Sequence, residues 1–306
     1  MLNSVKRVLV ILCPLLIALS GSYAQQQTVD LFKIQDSTNA SLPVSNKGEP
    51  VINTFYSTRL VNGQTVEILG PGSMDFRINH RFAPINTGIY NFFGLDVATM
   101  RLSFDFGIAK NLMVGIGRST TNKEYDGFIK YRIMHQKEGS VPLSISLLGA
   151  MAYRTIDMDS SLKVTGADRT YLNAAVLIAS KLSSHTSLQI SPTYTRYNRI
   201  MNFTGGDFDM FSIGFLARQR ISKRVSINAE YFVQLTKFDN TYNSLSFGVD
   251  INTGGHVFQL HITNATGMNE HTFIHETTGS WANGDIRFGF NLSRIFKIGK
   301  QAKTSY

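Results

Sequence analysis

The densest group of side chains capable of acid–base or metal chemistry lies in "GMNEHTFIHETTGSW", Gly267 to Trp281, which carries Glu270, His271, His275 and Glu276. His271 and His275 stand four residues apart, a spacing that sets two imidazoles on one face of a helix, as zinc sites require. The segment lacks the His-Glu-x-x-His order, however, and Thr272, Phe273, Ile274, Thr277 and Thr278 favour extended backbone. It reads as a structured loop with solvated histidines, a weak surface metal site being the alternative. His261 stands between Gln259 and Thr263 on the polar side of an alternating segment. Such a histidine suits a Ser-His-amide set or an acid pair with His, but one sequence cannot show a serine and an amide converging on it. A hydrogen-bonded histidine is the plainer reading. "GIGRST", Gly115 to Thr120, lacks the third glycine of a dinucleotide loop and the Lys-Ser/Thr of a phosphate loop. Its glycines read as strand residues that leave room for large neighbours. No cofactor and no enzymatic activity follow from these motifs.

The segments that position these groups share one pattern. In "GDIRFGFNLSRIF", Gly284 to Phe296, Ile286, Phe288, Phe290 and Leu292 alternate with Asp285, Arg287, Gly289, Asn291 and Ser293. Successive strand side chains point to opposite faces, so this is a strand with one greasy and one polar face. The same alternation sets Phe76, Ile78, His80 and Phe82 against Asp75, Arg77, Asn79 and Arg81, and Leu102, Phe104 and Phe106 against Arg101, Ser103 and Asp105. Val225, Ile227 and Tyr231 oppose Ser226, Asn228 and Glu230; Phe247, Val249 and Ile251 oppose Gly248, Asp250 and Asn252. No segment carries a 3.6-residue pattern. Tight links at Lys110-Asn111, 137–140, 183–185, Ser222-Lys223 and 253–255 alternate with longer connections, the rhythm of outer-membrane barrels.

The expected fold is therefore an all-β, transmembrane, antiparallel up-and-down barrel of about twelve strands over residues 73–298, with fourteen as the alternative. The charged residues fall mid-strand on the polar face: Arg77, Arg101, Asp105, Lys130, Arg132, Arg218, Glu230, Asp250, His261 and Arg287 are the expected lumen lining. Tyr125, Tyr153, Tyr171, Tyr194, Tyr197 and Tyr242 fall near strand ends, where interfacial girdles are expected. Many strands run to about ten residues, the length a tilted membrane strand needs. His80 is expected to face lipid near a strand end. Residues 51–72 break the parity of the strands. With the turn signal Asn62-Gly63, they are expected as a hairpin at the periplasmic mouth or tucked into the lumen.

The first 24 residues combine Lys6 and Arg7, an apolar run from Val8 to Leu19 and Ser22-Tyr23-Ala24, a signal peptide expected to be cut after Ala24. The single cysteine, Cys13, lies within it, so disulfides and cysteine-based metal or redox chemistry are excluded from the remainder. Residues 25–50 are polar and aperiodic, expected as a flexible periplasmic leader, and 299–306 as a tail. The formal charge is +9. Basic charge suits nucleic acid, but here Lys and Arg are scattered along strands of an exported chain, so no nucleic-acid partner is expected.

"NGQTVEILGPGSMDFRINHRF", "NFFGLD", "GIGRSTTNKEYDGFIKY", "GGHVFQLHITNATGMNE" and "GDIRFGFNLSRIF" together resemble a family of uncharacterised exported proteins of gram-negative bacteria. The resemblance covers about residues 51–298. It implies an outer-membrane β-barrel and supplies no activity and no catalytic residues. In one respect the chain departs from barrels in general: Phe296 is followed by "KIGKQAKTSY" instead of ending the chain.

Twelve strands fall between the filled interior of about eight and the water channel of about sixteen. The leading expectation is a narrow pore or small-solute transporter with an anion-favouring lumen if the bore is open. A lumen plugged by its own paired charges is weighed equally. The alternatives are a closed structural or interaction barrel binding another envelope protein, and a barrel hydrolase with its site at the extracellular rim. Expected partners are outer-membrane lipid, the outer-membrane assembly machinery and a periplasmic or envelope protein.

Overall fold

The computed structural model describes residues 48–157, 163–200 and 203–299; the signal peptide, residues 25–47 of the leader and the tail from 300 lie outside the described residues. Twelve strands follow one another: β1 (Ser73–Pro84), β2 (Ala98–Ala109), β3 (Leu112–Ser119), β4 (Glu124–Met134), β5 (Ser144–Arg154), β6 (Thr170–Lys181), β7 (Thr186–Tyr197), β8 (Asp209–Arg220), β9 (Val225–Gln234), β10 (Ser244–Asn252), β11 (His256–Thr263) and β12 (Arg287–Lys297). Each pairs antiparallel with its neighbours in sequence, and β1 closes on β12, with Ile78 opposite both Leu292 and Leu102. The twelve-strand expectation holds. The fourteen-strand alternative falls, because residues 51–72 contribute no wall strand.

Closure matters because it removes the unpaired strand edges that lipid cannot hydrogen-bond. The alternation fixes which face looks where. Phe104, Leu260 and Phe288 point away from the barrel and are 41%, 55% and 47% exposed, while Arg77, Arg101 and Asp105 point inward and are wholly buried. A belt of this extent facing water would be an aggregation surface; facing acyl chains, it is the solvent contact of a membrane barrel. No helix among the described residues is long and apolar enough to cross a membrane. Phe104 also packs against Phe76 across β1 and β2, with ring centroids 5.2 Å apart. A Phe104→Arg substitution is expected to cost about 2–4 kcal/mol in lipid, read as a lower urea midpoint for unfolding from vesicles.

Parity also corrects the tyrosine girdle. Tyr125, Tyr153, Tyr194 and Tyr242 are exposed, but Tyr171 and Tyr197 are buried inside the barrel. Being near a strand end was not enough: Tyr197 is odd-numbered on a strand whose outward residues, Leu188, Ile190 and Tyr194, are even. His80 lies on the outward side as expected, its ring stacked on Phe290 at 4.8 Å.

The short turns, the approach to β1 and the end of β12 share one end of the barrel; the longer connections share the other. At the short-turn end the chain enters beside the β4–β5 turn, where Val51 N–H donates to Gln136 O at 2.8 Å. It runs into the lumen, reverses, and returns to β1 past Gly107. A Cβ on Gly107 would lie 2.1 Å from Gly70 O, so the wall is thinned there to let the returning backbone pass.

Candidate functional site

The lumen is filled by two segments that meet inside it. The first is the hairpin formed by residues 51–72. Leu60 N–H donates to Gly63 O at 2.9 Å and Thr65 N–H to Thr58 O at 2.9 Å, which closes its tip at Asn62-Gly63. An isolated hairpin is marginal in water, and its backbone polar groups must be satisfied once it is buried. Inward side chains of the wall supply those partners. Lys130 Nζ donates to Thr58 O, Gln64 Oε1 and Thr65 O at 3.2, 2.9 and 3.0 Å. Arg218 Nη1 donates to Asn53 O and Thr54 O, both at 2.8 Å, and its guanidinium lies 3.9 Å above the Tyr56 ring. Gln259 Nε2 donates to Leu60 O, and Asn291 Nδ2 to Val61 O at 2.8 Å. Gln189 works both ways, accepting from Val66 N–H at 2.9 Å and donating to Gln64 O at 2.7 Å.

The tip itself is held by one carboxylate. Glu230 of β9 accepts from the N–H groups of Val61, Asn62 and Gly63 at 3.2, 2.9 and 3.0 Å, and from Asn62 Nδ2 at 2.7 Å. Successive backbone N–H groups turned toward one point form an anion-binding nest. Asn62 is fixed in turn by Arg81, whose Nη2 donates to Asn62 Oδ1 at 2.8 Å.

The second segment is the connection between β11 and β12. It turns into the barrel and forms a short helix, α1 (Glu270–His275), every residue of which is buried. This corrects the expectation of a structured loop with solvated histidines, since both imidazoles are buried. The β-favouring run Thr272–Ile274 is overridden because the segment sits in the barrel mouth, where helical turns satisfy its backbone internally and Phe273 and Ile274 reach an apolar cluster with Phe232 and Leu216. His271 lies stacked on Tyr171 at 4.2 Å, with Nε2 3.4 Å from Glu124 Oε1. Arg154 ties wall to loop: Nε donates to Glu124 Oε1 at 2.7 Å and Nη2 to Glu276 Oε2 at 2.9 Å, while its guanidinium lies 4.7 Å over Tyr171. Hairpin and loop join through Arg59 and Glu270, 2.9 Å apart. Two cavities beside this junction measure about 20 and 10 Å³, each with room for a single water at most.

Of the expected lining, Arg77, Arg101, Asp105, Lys130, Arg218, Glu230, Asp250 and His261 are buried inside the barrel, and Arg132 and Arg287 are half-buried on the inward side. They do not form one cluster. Arg77 pairs with Asp75 at 3.0 Å and Arg101 with Asp126 at 2.5 Å; Lys130, Arg132, Arg218 and Glu230 face the hairpin. Asp250 accepts from Gln259 at 3.1 Å, and Arg287 Nη1 donates to Phe82 O at 3.4 Å. His261 meets no side-chain partner at either ring nitrogen, and the ring occupies the space left by Gly289. No serine–histidine pair forms there. Among the described residues no three His, Cys, Asp or Glu side chains converge as a metal site needs. The glycines of "GIGRST" behave as expected, since a Cβ at Gly115 would strike Phe128 and Asp105, and one at Gly117 would strike Arg101.

Arg59, Asn62, Arg81, Glu124 and Arg154 were absent from the expected lining. Parity pointed to Arg81 and Arg154, which continue the inward series Arg77–Asn79 and Ser144–Ser146. The turn signal at Asn62-Gly63 pointed to the hairpin tip but not to its contact with Glu230, and nothing in the sequence pointed to Arg59.

His275, buried in α1 beside His271, has its imidazole pushed down to about 3 by loss of solvation. The unfolded chain, with an ordinary imidazole near 6.5, binds the proton the folded one refuses. Its contribution to stability is therefore intact above about pH 6.5 and is lost as the pH falls toward about 3. His275→Phe is expected to flatten the fall in unfolding midpoint between pH 7 and pH 5; an unchanged pH dependence would place the acid lability elsewhere.

A comparison with curated proteins finds no match. Among solved structures, the NanC porin is 9% identical with a TM-score of 0.46, covering 74% of this chain and 100% of that one. The KdgM porin is 10% identical with a TM-score of 0.44, covering 73% and 99%. The translocator domain of autotransporter NalP from Neisseria meningitidis is 12% identical with a TM-score of 0.37, covering 75% and 89%. The family described as "Membrane bound beta barrel domain (DUF5777)" matches residues 55–296, a span that takes in most of the hairpin, the inward loop and all but the last residue of the twelve strands, and the chain belongs to that family.

Proposed function

We propose that the protein is a gated channel of the outer membrane for a small solute, held shut by the hairpin from the short-turn end and by the α1 loop from the other. One observation carries this reading: between its two ends, whose backbone pairs with the wall at Gln136 and Gly107, the hairpin is held by wall side chains that donate to its carbonyls and accept from its N–H groups, beside the apolar packing of Phe55, Leu60, Val66 and Leu69. Buried charges recover little more than their own desolvation, so these polar contacts add little to the permanence that the apolar packing alone would give. Side-chain hydrogen bonds that water can replace one by one make a filling that can leave.

A second reading, a closed interaction barrel serving another envelope component, draws on the small size of the two cavities beside the hairpin–loop junction. Single-channel recording in planar bilayers separates the two. The gated channel gives rare openings in the wild-type chain and frequent ones when the hairpin tip is loosened. A folded barrel that stays silent in both, and co-purifies with an envelope protein, supports the second reading and ends the first.

A further inference from the structure

The donors that hold the returning arm of the hairpin have a geometry of their own. Arg132 and Ser146 are register partners on β4 and β5. Both donate to one atom, Val66 O, from Arg132 Nη2 at 3.2 Å and Ser146 Oγ at 3.4 Å. Lys130, two residues along β4 on the same face, donates to the preceding carbonyl, Thr65 O, at 3.0 Å. An ammonium, a guanidinium and a hydroxyl thus converge on two adjacent oxygens of a peptide backbone that carries no net charge. That donor set is matched to a group with two or more oxygens and a full negative charge, because a guanidinium and an ammonium gain charge attraction as well as hydrogen bonds from a carboxylate or phosphate.

From this we infer that Lys130, Arg132 and Ser146 form an oxyanion-binding site of the open lumen, for a solute carboxylate or phosphate, and that the carbonyl oxygens of Thr65 and Val66 stand in for the solute's oxygens in the closed state. The inference rests on the gated-channel reading and names the class of solute. Departure of the hairpin strips Lys130 and Arg132 of these carbonyls and takes Glu67, 3.6 Å from Arg132, away with it. It strips Arg218 of Asn53 O and Thr54 O. The wall carboxylates are differently placed. Asp75 keeps Arg77 and Ser293, Asp126 keeps Arg101, Glu124 keeps Arg154, and Asp250 keeps Gln259. Asp105 accepts no hydrogen bond, and of its charged neighbours it keeps Arg77 and Arg101 on the wall but loses Arg59 of the hairpin. Glu230 on the wall and Glu270 on the loop lose their hairpin partners. Opening therefore frees the cationic donors of Lys130, Arg132 and Arg218 against the carboxylates of Glu230 and Glu270, and two of those three cations stand together on β4 beside Ser146.

The test uses the full chain with Gly63→Val. A Cβ at Gly63 would lie 2.8 Å from the Phe232 ring, which is itself hemmed in by Gly214 and by Phe273 at 4.9 Å. The substitution dislodges the tip and leaves the wall chemistry untouched. Asn62→Ala, which adds no bulk, replaces it if that barrel does not fold. Reversal potentials in a potassium chloride gradient are expected to show an anion preference of about fivefold. Lys130→Gln and Arg132→Gln in the same background are each expected to halve it or more, and millimolar inorganic phosphate is expected to interrupt the chloride current until those residues are replaced. A conducting barrel with no ion preference, or with a cation preference, overturns the oxyanion site while the channel stands. A folded barrel that does not conduct overturns both.

Discussion

Glu230→Gln is expected to raise the open probability of the barrel about 100-fold. Four N–H donors of the hairpin tip converge on this carboxylate, and Glu230 is 1% exposed, so no water replaces it while the hairpin is seated. Glutamine is of equal size but offers one oxygen and turns an N–H toward donors that need an acceptor. Charged hydrogen bonds contribute about 1.5–3 kcal/mol each, and a buried donor without a partner costs about as much. A net loss of about 3 kcal/mol is a modest fraction of that sum, and corresponds to the stated change in the closed-to-open ratio. The measurement is single-channel recording on the full chain, with heat-modifiable gel mobility as the check that the barrel is folded. An unchanged open probability in a folded barrel would show that the latch lies elsewhere.

Arg154→Met is expected to lower stability by about 3–5 kcal/mol and to free the α1 loop for protease cleavage. Arg154 is 2% exposed and holds Glu124 of the wall and Glu276 of the loop at once. Its removal takes the guanidinium from both carboxylates, leaving Glu124 with the Asn269 and Asn122 amides and His271, in a site from which water is excluded, the circumstance in which breaking a buried pair is most damaging. Because methionine fills much of the same volume over Tyr171, packing loss contributes little. Glu124→Gln added to Arg154→Met is expected to recover part of the loss, since one orphaned charge is then gone. Urea unfolding midpoints of the single and double variants measure this. A double variant no more stable than Arg154→Met would mean that Glu124 is not the group that suffers.

Both predictions concern contacts between residues far apart in sequence: Glu230 is 168 positions from Asn62, and Arg154 is 122 from Glu276. Neither contact was legible, because alternation reports the face a side chain takes and says nothing of what stands across the lumen. The tyrosines mark the boundary of what it reports. Tyr171 and Tyr197 look interfacial by position and prove internal by parity, and parity was already in the sequence. His271 and His275 mark the other side. Their local run favours extended backbone, and a wall built from β4, β5 and β6 overrode it by offering Glu124, Arg154 and Tyr171 to the inserted helix.

The sequence by itself determined the wall. Period-two alternation over strands of near-constant length, with charges mid-strand, has one low-energy closure in lipid: greasy side chains out, ionic ones in, every backbone group paired with a neighbour. The contents of the lumen were decided by the tertiary structure alone. A polar interior of this width admits water, a hairpin or an inward loop with similar local propensities. Which of them occupies it depends on whether Glu230, Lys130, Arg218 and Arg154 find partners of matching geometry, and those distances exist once the barrel has closed.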